Sequence, residues 1–252
     1  MPSADKKPSD RPPVLAWRPG RDTAWALLSI PLMWLCYWLN TQLSASQPIV
    51  ATLIFFVVGN LVVSTALPAW VVTRVAGEGW AGLGFTRRRL WLALLVTAVL
   101  GFGSLQQYLA AAQQAGVDPL EHLAYNLVIL WEPLFVYGWL QLRFTRAFGW
   151  LPAIVLTALG FAAYHIGSVP PETLLVFAIT GVVYAAFMAL TRNLWSLFPL
   201  AAGVSSGIGT LQSGLSFTWS VAAVGVVVLI AQAVILWWVV GRRPAPVAAP
   251  AA

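Results

Sequence analysis

The sequence predicts an all-α integral membrane protein, with about eight transmembrane helices in a single bundle and both termini cytoplasmic. Three observations carry that reading. Of the 252 residues, 60% are hydrophobic and only 9% are charged, whereas a soluble domain carries about 25% charged residues. Apolar stretches of about 20 residues, the length that crosses a hydrocarbon core of about 30 Å, recur at 23–43, 49–73, 90–109, 120–142, 150–168, 173–191, 194–212 and 217–240. All 14 Lys and Arg then fall beside alternate ends of those stretches, and an excess of basic residues marks the cytoplasmic side.

The same facts exclude several classes. The single cysteine cannot form an intrachain bridge, so this is no disulfide scaffold. The net charge of +6 reports topology and contact with anionic lipid headgroups, not a nucleic-acid partner.

Residues 1–22, with Pro2, Pro8, Pro12, Pro13 and Pro19 among charges of both signs, cannot bury a core and read as a disordered cytoplasmic arm. A cleavable leader ending near Ser44-Ala45-Ser46 is the rival reading, but Asp5, Asp10 and Asp22 are wrong for it. The membrane bundle occupies 23–240, and the Pro- and Ala-rich tail 241–252 reads like the arm. Lys6, Lys7, Arg11, Arg18 and Arg21 precede the first span, and Arg74, Arg87, Arg88 and Arg89 follow the second. Arg143 and Arg146 follow the fourth, Arg192 the sixth, and Arg242 and Arg243 the eighth; the opposite loops carry only Asp118, Glu121 and Glu172. The segment from Gly77 to Arg89 is too polar to span and is expected at the cytoplasmic interface, with Trp80 and Phe85 dipping toward lipid. Trp34, Trp38, Trp237 and Trp238 read as interface anchors, and Cys36 as a small buried hydrophobe.

Ionisable groups within a bilayer are costly and mark function by default. Two qualify. Glu132 lies near the middle of the expected fourth span, 11 residues from both Glu121 and Arg143, and His165 lies toward the outer end of the fifth. Counting about 1.5 Å per residue, Glu132 sits about 16 Å from Arg143 and His165 about 21 Å from Leu151. Tilt and a kink at Pro133, which would free the Ile129 carbonyl and invite water beside Glu132, are expected to absorb the difference. The structural alternatives are a hydrogen-bonded carboxyl gluing two helices, a satisfied interhelical histidine and a plain proline kink.

Trp131-Glu132-Pro133-Leu134-Phe135-Val136-Tyr137-Gly138 resembles the first motif of the CPBP intramembrane proteases, the group of CAAX-processing and Abi-type membrane endopeptidases. That motif has two adjacent Glu, three variable residues, then Arg-Gly. Phe161-Ala162-Ala163-Tyr164-His165 is similar to the second motif, a Phe four residues before a His on the next helix. Phe177-Ala178-Ile179-Thr180-Gly181, through Tyr184 to Thr191-Arg192-Asn193-Leu194-Trp195, resembles the connection to the third motif, and Gly82-Leu83-Gly84 the turn before the family's core. The resemblance covers about residues 80–210. Pro133 stands in the second Glu position and Tyr137 in the Arg position, while the third motif's His and Asn fall among Ala201, Gly203, Ser205 and Gly207.

The resemblance implies that Glu132 acts as general base on a water attacking a peptide carbonyl, with His165 on the developing oxyanion. Tyr137, Ser205 and Ser206 are the candidate replacement hydrogen-bond donors. No cofactor is expected, and no metal: catalytic zinc usually takes three protein ligands, and the only other histidine is His122, at the outer mouth of the fourth span. Ala202, Gly203, Ser206 and Gly207 give small residues at spacings of four, which suit close helix packing. Three readings follow: a CPBP-type intramembrane endopeptidase of the bacterial-type plasma membrane, cutting a membrane-associated peptide or protein; a non-catalytic relative that binds membrane helices or partner proteins; and an unrelated transporter or lipid-handling protein in which Glu132 and His165 relay protons.

Overall fold

Apolar runs without a two-residue alternation favour helix throughout, and the computed structural model, which describes residues 12–242, is all-helical. In chain order, α1 is Arg21–Leu43, α2 Pro48–Val75, α3 Leu90–Ala115, α4 Pro119–Leu127, α5 residues 131–148, α6 Trp150–Ala163, α7 Pro171–Thr191, α8 Leu200–Gln212 and α9 Trp219–Gly241. Residues 54–66 of α2 and 134–141 of α5 wind as wider π-type helix. Five stretches are long and apolar enough to cross a bilayer: Pro48–Val75, Leu90–Ala115, Pro119–Phe148, Pro171–Thr191 and Trp219–Gly241. The chain is a multi-pass membrane protein. The expected count of eight does not follow from helix length, because α6 has 14 residues and α8 has 13, so each extends only about 20 Å against a core of about 30 Å.

The stretch expected as one kinked span at 120–142 is two helices. Asp118 caps α4 by accepting from the backbone N–H of Leu120 and Glu121, with Pro119 in the first turn where no N–H is needed. α4 ends at Leu127, and α5 starts afresh at Trp131. Pro133 therefore sits in a first helical turn, where its missing N–H removes no bond, and the Leu134 N–H closes that turn on the Leu130 carbonyl. A helix restart, not an interior kink, carries Glu132. α5 then continues to Phe148, six residues beyond the expected end.

α5 lies at the centre of the bundle. Two thirds of the most apolar window of Pro119–Phe148 is buried (67%), against 22–33% in the other four candidate spans, and Trp139, Phe135 and Phe144 are among the largest side chains wholly buried. The Trp139 indole donates to Ser29 Oγ on α1 at 3.1 Å, and the Gln141 amide donates to the Ala185 carbonyl of α7 at 2.6 Å. Such cross-helix bonds satisfy polar groups that hydrocarbon cannot.

Gly149 turns α5 back into α6 with φ of 88°, a left-handed conformation glycine adopts without strain. A Cβ there would also strike the Val14 carbonyl oxygen at 2.5 Å. Residues 13–18 run along this turn, the N–H groups of Ala16 and Arg18 donating to the carbonyls of Phe148 and Ala147, and those of Trp150 and Leu151 donating to Pro13 and Val14. The arm expected to be unstructured over 1–22 is thus ordered from Pro12, because the turn offers backbone partners and Trp17 packs on Phe148 at 5.3 Å. Residues 1–11 and 243–252, the rest of the expected arm and most of the tail, lie outside the described residues. Trp80 and Phe85 pack edge to face on each other, and Phe85 also meets Trp195.

Candidate active site

The α5–α6 hairpin brings the two embedded ionisable groups together. Glu132 precedes Gly149 by 17 residues and His165 follows it by 16, so both lie at the same level of the hairpin. The expected mismatch disappears because α5 runs on to Phe148. His165 lies just past the end of α6, and its Nε2 is 3.8 Å from Glu132 Oε1. That is ion-pair range but longer than a hydrogen bond.

The environment fixes the histidine. Its Nδ1 stands 2.8 Å from the Phe161 carbonyl oxygen, and because a carbonyl only accepts, Nδ1 carries a proton and Nε2 is presented to Glu132. The imidazole is walled by Phe161, Tyr164, Phe177 and Tyr37, with ring centroids 5.3, 4.3, 4.5 and 4.8 Å away. His165 is 5% exposed, and the Glu132 side chain keeps 19%. The carboxyl therefore retains an open side while the imidazole does not.

Tyr164, quoted in the second motif but not singled out as a site residue, donates its hydroxyl to Glu132 Oε1 at 3.0 Å. Residues i and i+1 on a helix diverge, but here α6 has ended at Ala163, and the turn lets consecutive side chains converge. The other expected donors lie farther along. Tyr137 is buried, its hydroxyl has no partner, and its ring is 6.0 Å from that of Tyr184. The Tyr184 hydroxyl donates to the Ala201 carbonyl at 2.8 Å. Ser206 is half-buried on α8, and among the described residues neither Ser205 nor Ser206 bonds to Glu132 or His165.

The small residues of α8 are filled by neighbours. A Cβ on Gly203 would meet Leu127 at 2.8 Å, and one on Gly207 would meet the Tyr108 ring at 2.8 Å. His122 belongs to a separate cluster: it is wholly buried and stacked on Phe217, with Nε2 on Thr210 Oγ1 at 2.9 Å and Nδ1 accepting from the Phe217 N–H at 3.1 Å. Among the described residues no three His, Cys, Asp or Glu side chains come together as a metal site. Beside Trp131 and Ile129 lies a cavity of about 10 Å³ that also touches Asn60 and Gln232, room for about one water. The Asn60 amide and Gln232 Oε1 have no protein partner.

Residues 122–204 match the Rce1-like family, type II CAAX prenyl endopeptidases. That match is consistent with the CPBP resemblance. No curated protein and no solved structure matches the chain. The Rce1-like stretch contains α5, α6, α7 and the α5–α6 turn, and so holds Glu132, Tyr137, Tyr164, His165 and Tyr184 together; Ser205 and Ser206 lie just beyond it. At family level the stretch points to a membrane endopeptidase of the CAAX protease type.

Proposed function

We infer that this protein is a CPBP-type membrane endopeptidase in which Glu132 is the general base. The observation that carries this is the convergence of Glu132, Tyr164 and His165 at one level of a buried helical hairpin, within the Rce1-like stretch. In this reading Glu132 takes a proton from a water, whose oxygen attacks the carbonyl carbon of a membrane-associated peptide. Tyr164 orients the carboxylate and leaves its second oxygen for the water. The proton taken up is shared with His165 Nε2 and returned to the leaving amine, while Tyr137, the unpartnered phenol on the next turn, is the donor closest in role to the missing Arg. The enzyme is read as a plasma-membrane protein of the bacterial inner-membrane type.

The test is to express wild type and Glu132→Gln in cells lacking the native protein and to compare the termini of membrane proteins. A product present only with wild type supports the reading. Tyr164→Phe should slow formation of that product about 10- to 150-fold, because a hydrogen bond to a charged group contributes about 1.5–3 kcal/mol. Unchanged kinetics would remove Tyr164 from the site.

A second reading is favoured by α8, where Gly203 and Gly207, two of the third-motif positions, are packed against Leu127 and Tyr108. A non-catalytic relative that retains partner helices would keep its partners in Glu132→Gln. It would lose them in Gly203→Leu, since overpacking at a contact of 2.8 Å to Leu127 costs about 1–3 kcal/mol and shifts the helix. Co-purification of membrane proteins with the two variants separates the readings.

The orientation proposed from the basic residues, with both termini in the cytoplasm after eight passes, has local support. Arg18, Arg143, Arg146 and Arg192 line one cavity, and Arg89 bonds to the Leu190 carbonyl, so basic residues remote in sequence gather at one end. Reporter fusions after residues 46, 116 and 170 are expected on the non-cytoplasmic side, and those after 80, 147 and 245 on the cytoplasmic side. A cytoplasmic signal at 116 would overturn the arrangement.

A further inference from the structure

At the far end of α5 from Glu132, a cavity of about 410 Å³ opens between the N-terminal strap, the turn at Glu78–Gly82 and the last turns of α5. Its volume falls in the range of small-molecule sites, about 300–1,000 Å³. Arg18, Arg143, Arg146 and Arg192 line it together with the Glu78 carboxylate. With Asp22, which pairs with Arg143 and Arg146, that is four arginines to two carboxylates among the described residues. Arg143 and Arg146 form a fixed floor through their pairs with Glu78 and Asp22. The Arg143 guanidinium is buried, and its Nε–H has no acceptor. Arg18 and Arg192 are exposed.

The strap that forms one wall, through Pro12, Pro13 and Ala16, also presents Val14, Leu15 and Trp17 outward at 51%, 68% and 79% exposure. Large apolar side chains beside arginines at the end of a membrane bundle suit the boundary between headgroups and acyl chains. We propose that this cavity binds the phosphate of an anionic phospholipid headgroup, with the acyl chains lying along Leu15 and Trp17. Arginine forks match phosphate oxygens in geometry as well as charge. The four backbone bonds between strap and α5–α6 turn hold the apolar side chains beside the charged wall, so one ligand meets both.

The test uses the purified full chain in detergent, titrated with dioctanoyl phosphatidylglycerol and read by native mass spectrometry as lipid retained per chain. Parallel arms use dioctanoyl phosphatidylcholine and inorganic phosphate. Wild type is expected to retain phosphatidylglycerol in preference to phosphatidylcholine. Arg18→Glu changes the local charge by two units and should weaken binding about 25-fold, at about fivefold per unit. Ala81→Trp fills the cavity with every charge in place and should also abolish retention; being at an exposed position, it is checked by its unfolding temperature. Equal retention of phosphatidylcholine, or unchanged retention in either variant, overturns the proposal. Competition by inorganic phosphate at equal concentration would assign the site to a free anion and overturn the lipid.

Discussion

Glu132→Gln is expected to lower processing by about 10²–10⁴-fold, the usual contribution of a positioned general base, while leaving the protein inserted and folded. Glutamine preserves the side-chain length and a carbonyl oxygen able to accept from Tyr164, whose hydroxyl lies 3.0 Å from Oε1. What it removes is the basic oxygen and the charge facing His165 Nε2 at 3.8 Å. The fold should be indifferent, because Glu132 lies in the first turn of α5, contributes one side-chain hydrogen bond there and keeps it. Product formation is measured at matched membrane levels of the two proteins. If product forms at the wild-type rate, Glu132 is not the base and the endopeptidase reading falls with it. His165→Gln provides the cross-check: if the pair works as a unit, the double variant should be hardly slower than Glu132→Gln alone, as expected for residues sharing one proton.

The largest loss of stability is expected from Arg143→Leu, at about 2–3 kcal/mol, because Glu78 and Asp22 then keep only the half-exposed Arg146 and the Gly82 carbonyl loses its donor. Arg143 has a side chain only 3% exposed and donates to Glu78 Oε2 at 2.7 Å, to the Gly82 carbonyl at 3.0 Å and to Asp22 at 3.2 Å. Those contacts join three otherwise separate pieces of chain: the start of α1, the turn after α2 and the end of α5. Leucine fills the space of the stem but leaves the Gly82 carbonyl without its donor. Glu78 and Asp22 then keep only Arg146, whose side chain is 52% exposed and pairs with them from the rim. The measurement is thermal unfolding in detergent. Arg143→Leu combined with Glu78→Leu should recover part of the loss, and a single variant as stable as wild type would show that the network holds nothing together.

Glu132 and His165 were legible in the sequence because hydrocarbon tolerates so few ionisable groups that position alone marks them. Their separation along the chain was legible too, once the turn between them was known, since the two arms of the hairpin differ by one residue. The end of α5 was not. Residues 143–148 look like an interfacial loop because Arg143 and Arg146 are charged, and only the distant carboxylates of Asp22 and Glu78 make it possible to carry that arginine inside a helix. Tyr164 was hidden for a related reason: helical periodicity puts it on a different face from His165, and that rule lapses where the helix stops.

The sequence by itself determined that the chain belongs in a membrane, where its apolar runs lie and that Glu132 and His165 are ionisable residues within them. Each of these follows from partition between water and hydrocarbon, which acts on local composition. Only the tertiary structure decided that the strap at 12–20 is ordered, that His122 is locked against Thr210 and Phe217 instead of joining the candidate site, and that the small residues of α8 are filled by Leu127 and Tyr108. Those outcomes depend on which distant partner satisfies a given backbone or side-chain group. Composition and period do not encode that choice, because a buried donor needs an acceptor at a particular place in space, not at a particular distance along the chain.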